Sequence, residues 1–384
     1  MIVENHHARP RLVMVLPPRE AFSPAAAGGV GLVVDRLARA TNRDAAKPDA
    51  EVLVIGPAIP APPFPGVPFL AVHPGFWPPA PRAGRYARAV GSCLGGSPLG
   101  RLAPALIEVH NRPDVALFLA ARFRATPTVL FLHNDPRGMR AGRSAAERRS
   151  LLARLARVVS VSGFLRAAFL EGLRESDRAI VLPNPIELAA LPPPVSVAER
   201  SPILLFAGRM VRDKGADAFV AAAASALRRL PGWRAEMFGA DRSGPASPET
   251  AYLSTLRRRA AAAGITLHGY RPQAEVAAAM ARASIVVVPS RWPEPFGLTA
   301  LEAMAAGAAL IAAPRGALPE LIGDAARYVD PDDPDAFAET MVALARDLPA
   351  RARLGAAGLA RAREFDLPRV GEALAQLRHE ILGS

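Results

Sequence analysis

Cysteine is almost missing: Cys93 is the single one in 384 residues, which excludes a disulfide framework and a cysteine-based zinc site. Lysine is scarce too, with Lys47 and Lys214 alone among 47 basic residues. Aromatic residues are 6% of the chain, and no helix-turn-helix, RRM or KH pattern occurs. That argues against nucleic acid as a partner, because such proteins interleave basic and aromatic residues. No window holds the roughly 18 uninterrupted apolar residues that a spanning helix needs. Met1 to Arg11 carries His6, His7 and Arg9 but no apolar core, so no secretory signal is read there and a cytoplasmic location is expected. The His6-His7 pair, without further ligands, reads as a tail and not as a metal site.

What is there suits two α/β domains. Hydrophobic residues are 51%, enough for a sizeable interior. Short apolar runs alternate with Ala/Leu/Arg-rich helical stretches, the pattern of parallel sheets with crossover helices. Strands are predicted at Leu12–Leu16, Val52–Ile55, Leu106–Val109, Thr128–Leu132, Val158–Ser162 and Ile180–Leu182. A second series is predicted at Ile203–Phe206, Ala235–Phe238, Ile265–His268, Ile285–Val288 and Leu310–Ala312. Pro192-Pro193-Pro194 marks the boundary, because consecutive prolines continue neither element. This divides the chain into 1–192, 193–366 and a C-terminal helix in 367–384. The Pro-rich stretch from Pro57 to Pro81 reads as a long surface loop.

Charge is one-sided. Residues 1–190 hold 24 basic against 14 acidic residues, a balance of +10, whereas 191–384 hold 23 against 21, a balance of +2. Ten arginines fall between Arg137 and Arg178. On a predicted helix at Ala145–Leu155, Leu151, Leu152 and Leu155 should face the core while Arg148, Arg149 and Arg154 project outward. Such a surface suggests an anionic partner, such as the inner face of a membrane.

Each half places glycine after its first strand, at the end where open α/β sheets bind ligands. Gly28-Gly29-Val30-Gly31 precedes one helix; Gly208-Arg209 and Lys214-Gly215 precede another. The most specific run is Glu294-Pro295-Phe296-Gly297-Leu298-Thr299-Ala300-Leu301-Glu302. Gly297 lets backbone amides approach a ligand, and the free N–H groups at Leu298 and Thr299 favour a phosphate. Glu302, about one turn into the helix, can accept a pair of sugar hydroxyls, and Glu294 can meet a second polyol. Asp330-Pro331-Asp332 spells a metal-binding D-x-D, but aspartate before a proline at a helix start is capping chemistry.

Glu294 and Glu302 enclose seven residues, and this E-x7-E segment resembles retaining glycosyltransferases of the GT4 family. The resemblance also takes in Gly28-Gly29, Val159-Ser160-Val161-Ser162, Asn184-Pro185, Phe206-Ala207-Gly208-Arg209 with Lys214-Gly215, and Leu318-Pro319-Glu320-Leu321-Ile322. The stretches around His110 and His133 resemble bacterial members that build lipopolysaccharide or exopolysaccharide.

The resemblance implies an α/β GT-B fold: two Rossmann-like, doubly wound parallel-sheet domains facing across a cleft, acceptor side N-terminal and nucleotide sugar C-terminal. The C-terminal helix is able to pack back on the first domain. It implies transfer of a hexose from a nucleotide diphosphate sugar, UDP- or GDP-linked, to a glycan or lipid-linked acceptor, with no metal and no further cofactor. By the same resemblance Arg209 and Lys214 grip the diphosphate, with Gly29, Phe296, Gly297, Leu298 and Thr299 around it. Glu294 and His133 attend the transferred sugar, Glu302 the ribose, Tyr270 and Arg271 the base, and His110 and Asp135 the acceptor side. The competing reading is a non-catalytic protein of this fold that binds nucleic acid or membrane through its basic half.

Overall fold

The computed structural model describes residues 11–41, 50–59, 61–73, 82–95, 104–241 and 249–383. They form two compact units. The first takes the described residues up to Ser23, then those of Ala27–Pro185, and resumes at Leu367; the second takes Pro24–Ala26 and the described residues of Ile186–Asp366. The division falls at Pro185, ahead of the triple proline that the sequence reading used as the boundary. Ile186 donates its N–H to the Phe365 carbonyl at 2.8 Å, so the entry and exit of the second unit lie side by side.

The first unit holds β1 Arg11–Val15, β2 Glu51–Pro57, β3 Phe69–Val72, β4 Leu106–His110, β5 Thr128–Leu132, β6 Arg157–Ser160 and β7 Ala179–Val181. Their order is β3-β2-β1-β4-β5-β6-β7, all parallel. The second unit holds β8 Ser201–Ala207, β9 Arg234–Phe238, β10 Thr266–Gly269, β11 Ala283–Val288, β12 Ala309–Ala312 and β13 Ala326–Tyr328, parallel in the order β10-β9-β8-β11-β12-β13. Apart from β7 the two orders are the same, and both are Rossmann-like. Every residue of β5 and of β11 is buried, as expected of central parallel strands covered on both faces.

Two strands were not expected. β3 interrupts the stretch read as a loop from Pro57 to Pro81, and β13 was not foreseen; each is an edge strand of its sheet. Arg148 was expected to project outward and is instead buried. Its guanidinium donates to the carbonyls of Phe169 at 2.7 Å and Gly142 at 3.1 Å, closing the end of the helix Gly163–Leu170. The helix that carries it, Ala145–Arg154, starts on a capping box between Ser144 and Glu147.

The helix Leu367–Gly383 belongs to the first unit. Val370, Leu374, Leu377 and Ile381 recur at helical spacing and are buried, and the helix packs along Gly29–Thr41. Arg378, 5% exposed, forms a two-pronged ion pair with Glu108 of β4 at 2.7 and 2.8 Å. This pair fixes the last helix to the centre of the first sheet.

Candidate functional site

In each sheet the chain runs outward to one edge and then returns to the centre, so strand order reverses between β1 and β4 and again between β8 and β11. Open α/β sheets bind ligands beyond the carboxyl ends of such strand pairs. The motif residues gather at these two points, one in each unit.

In the second unit the loops after β8 and β11 are tied together. The Asp213 carbonyl accepts the N–H groups of Arg291 at 2.8 Å and Trp292 at 3.0 Å, and the Ser290 hydroxyl at 3.2 Å. Gly215 is left-handed at φ +71°, and a Cβ there would fall 1.8 Å from the Pro289 carbonyl oxygen, so only glycine allows this approach. The result brings together residues 80 apart in sequence: Lys214 Nζ lies 2.5 Å from Glu294 Oε1. Ser290 donates to the same oxygen at 2.7 Å. Glu294 is 6% exposed, and both bonds fall on Oε1, so among the described residues Oε2 keeps its capacity to accept. Arg209 is exposed on the loop just after β8.

Gly297, at φ +106°, starts the helix Leu298–Ala305 with no side-chain cap. The N–H groups of Ala300 and Leu301 return to the Gly297 carbonyl, while those of Leu298 and Thr299 precede the first helical bond. Phe296 was expected to line the ligand, but its side chain is buried edge-on against Phe365, 5.8 Å between centroids, which leaves its backbone for contact. Glu302 is half-buried and accepts from Gln273 at 2.7 Å.

Tyr270 lines a cavity of about 390 Å³ with Gly239, Ala240 and His268, at the ends of β9 and β10. Arg271 does not line it; it is exposed, 3.8 Å from Glu275. Inside the strands, His268 stacks on Phe238 at 4.2 Å and meets Glu236 at 3.0 Å.

In the first unit His110 ends β4 and His133 follows β5. Their rings stack 5.2 Å apart, and His110 Nδ1 lies 2.9 Å from His133 Nε2. Burial holds His133 down at about 4, with Asn184 pulling slightly the other way. Burial, then the charges of His133 and Arg378, holds His110 well below the usual histidine range. Both rings are therefore neutral at ordinary pH, and one donates to the other. Nε2 of His133 is turned to His110, and the Asn184 side chain also hydrogen-bonds the ring. Asn111 shapes the turn: at φ +58° its Oδ1 accepts the N–H groups of His133 at 2.8 Å and Asn134 at 3.1 Å.

Gly29 has a different setting from the one expected. It begins the helix Gly29–Thr41, but the Glu20 carboxylate already occupies that helix end, accepting from Gly31 N–H at 2.9 Å. Burial raises the Glu20 carboxyl, and the amides of Gly31 and Gly28 pull it back down. A diphosphate at Gly29 would meet this like charge. Asp135 accepts from Arg137 and caps the turn Pro136–Gly138. Burial pushes its carboxyl up, but the bonds and charge from Arg137 outweigh that and hold it below its usual value.

Capping accounts for the D-x-D run. Asp333 accepts from Ala336 N–H at 3.0 Å with Pro334 in the first turn, Asp330 pairs with Arg315 and Asp332 with Arg291. Sequence reasoning missed Ser290, Gln273, Asn111 and Glu20, none of which carries a linear signal. The pair His6-His7 lies outside the described residues.

Two family models match the chain: one described as Glycosyltransferase Family 4 over residues 27–190, the other as Glycosyl transferases group 1 over residues 201–347. Among curated proteins it is 32% identical over 176 residues to D-inositol 3-phosphate glycosyltransferase of Corynebacterium diphtheriae, 45% of this chain and 41% of that one. It is 37% identical over 169 residues to the protein of that name from Frankia alni, 42% and 41% of the two chains. The chain thus spans about two fifths of the length of these relatives. Among solved structures it is similar to sucrose-phosphate synthase from Thermosynechococcus elongatus, with TM-score 0.76 and 20% identity over 98% of this chain and 100% of that one. It is also similar to Anabaena HepE in complex with UDP and glucose, with TM-score 0.71 and 19% identity over 95% and 98%. At these identities the likeness is one of fold: two Rossmann-like units of the GT-B type.

Proposed function

We propose, from the match of residues 27–190 to Glycosyltransferase Family 4 and of residues 201–347 to the group 1 glycosyl transferases, that the protein moves a hexose from a nucleotide diphosphate sugar to an acceptor hydroxyl with retention. The observation that carries the reading is the Lys214–Glu294 pair at the β8–β11 reversal, beside a helix start with no side-chain cap. As the C1–O bond to the diphosphate breaks, negative charge gathers on the departing oxygen. Lys214, Arg209 and the amides of Leu298 and Thr299 are the groups to meet it. The acceptor oxygen bonds to C1 on the same face, and its proton leaves on the phosphate.

Glu294 has two tasks in this scheme. Oε1 holds Lys214, and Oε2 accepts a hydroxyl of the transferred sugar. Glu302 takes the ribose hydroxyls, with Gln273 steering its carboxylate, and Tyr270 flanks the base. His133 attends the transferred sugar. The carboxylates of Asp330, Asp332 and Asp333 are engaged by arginines and a helix start, which supports charge neutralisation by Lys214 and Arg209 without a metal.

A UDP sugar is the first donor to try, because HepE is seen with UDP and glucose; a GDP sugar is the second. For the acceptor we keep a glycan or lipid-linked hydroxyl in cell-surface polysaccharide synthesis, with Arg140, Arg143, Arg149 and Arg154 exposed toward an anionic leaflet. A phosphorylated polyol is the second reading, favoured by the name of the curated relatives.

The test is release of UDP or GDP from UDP-glucose or GDP-mannose, with the anomer of the product read by NMR. Retained configuration, activity in EDTA and loss in K214A are expected. Failure of every nucleotide sugar to raise the melting temperature would refute the donor assignment.

A further inference from the structure

A second cavity, of about 800 Å³, opens in the first unit; His73 lines it, whereas His110 and His133 do not. It lies between the end of β3, the helix Arg82–Gly95 and the helix Pro113–Arg122. Its size is that of a small-molecule site. Val72, Ala89 and Phe118 supply apolar wall, while Arg85, Arg88 and Arg122 supply three guanidinium groups. Among the described residues no carboxylate lines it.

The missing negative charge is a property of a long segment. Between Glu51 and Glu108 the sequence contains no aspartate or glutamate at all, yet it carries four arginines. Elsewhere in this unit several arginines are matched: Arg112 with Asp114, Arg137 with Asp135, Arg166 with Glu175, Arg378 with Glu108. Here Arg85 and Arg88 have no ion pair among the described residues, and Arg122 bonds the Gly91 carbonyl at 3.3 Å and lies over the Phe123 ring without a carboxylate partner among those residues. Arg85 Nε is buried without a hydrogen-bond partner. A buried guanidinium N–H left unpaired costs more than a solvated one, so the position is unfavourable unless something accepts from it.

Three arginines lining one cavity, with no carboxylate among its described lining residues, match the oxygens of a phosphate, which accepts forked N–H pairs. The apolar wall beside them matches a body that inorganic phosphate lacks. We propose that this cavity binds an organic phosphate carrying an apolar group, with Arg85 and Arg88 on the phosphate and Phe118 and Val72 against the apolar part. The same chemistry is offered by a dissolved alkyl phosphate and by a phospholipid, and the two sources can be told apart.

The chain brings its own reporter. Cys93 is its single cysteine and lines this cavity, so the rate at which a thiol reagent modifies it reads occupancy without any sugar donor present. Burial pushes its thiol up, so the measurement is made at mildly alkaline pH. Hexyl phosphate should slow the modification, whereas hexyl glucoside and inorganic phosphate at equal concentration should not. R85Q/R88Q, checked for an unchanged melting temperature, should raise the half-protecting concentration by about tenfold or more. R258Q/R259Q, which alters exposed arginines on the helix Ala251–Ala262 of the second unit, should leave it unchanged. Protection by phosphatidylglycerol vesicles as well would assign the ligand to a bilayer, and protection by hexyl phosphate alone would assign it to solution. Equal protection by hexyl glucoside or inorganic phosphate, no protection by hexyl phosphate or vesicles, or protection that survives R85Q/R88Q would each overturn the proposal.

Discussion

His110 and His133 share one hydrogen bond, 2.9 Å from Nδ1 to Nε2, in a setting that disfavours a second, charging proton on either ring. The folded chain holds His133 at about 4, whereas an unfolded histidine titrates near 6.5. Between those values the unfolded chain binds protons that the folded one does not, so stability falls as pH drops through that window. His133 alone should contribute roughly 3 kcal/mol of this loss. Urea denaturation from neutrality down to about pH 4 should show the decline, and His133→Gln should flatten it. A slope unchanged in the variant would remove His133 as its source.

Lys214 and Glu294 form a pair whose members should respond differently. Lys214→Ala should lower kcat by about a hundredfold or more, because a cation beside the leaving group is lost. It should also cost about 1–3 kcal/mol of stability, because Glu294 remains buried. Glu294→Gln removes the charge but keeps both hydrogen-bonding oxygen and shape, so it should fold better than Lys214→Ala. Steady-state kinetics and chemical denaturation of the two variants separate these effects.

Gly215→Ala tests the close approach of two loops. Its Cβ would collide with the Pro289 carbonyl, at a φ that already costs an alanine about 1 kcal/mol or more. Gly232 has a similar φ of +82° and nothing within 4 Å, so Gly232→Ala should show the backbone cost alone. Equal destabilisation in the two variants would mean that the loops separate easily.

Removing one partner of Glu108–Arg378 should destabilise the first unit by about 3–5 kcal/mol, since a buried charge is left alone. Glu108→Leu with Arg378→Met should restore most of it. Guanidinium unfolding curves of the single and double variants provide the comparison.

Central strands were legible because burial on both faces demands uninterrupted apolar runs, as in Thr-Val-Leu-Phe-Leu at 128–132. β3 was hidden by the prolines around it, and β13 by a pattern with two exposed positions in three, both consequences of lying at an edge. The E-x7-E segment was legible because it is local. The contacts that give it meaning are not: Lys214 meets Glu294 across 80 residues, and Gln273 meets Glu302 across 29. Arg148 shows the limit of helical periodicity, which places a side chain on a face but cannot know that the carbonyls of Phe169 and Gly142 end there. Gly29 shows the same limit, because nothing local announces that Glu20 fills the helix end.

The discontinuity of the first unit governs the order in which the protein is made. Its central strand β4 is translated early, but Arg378, the partner of Glu108, follows 270 residues later. The whole of Ile186–Asp366 leaves the ribosome in between, which takes roughly 10–40 s at ordinary elongation rates. During that interval the nascent first sheet lacks the helix Leu367–Gly383 and the partner of Glu108, whereas the last strand of the second unit, β13, is complete before that helix is made. The inner unit is therefore free to mature first, and the outer one is a late event that waits on a single helix. A chaperone that shields residues 11–185 during synthesis would act on this stage and no other.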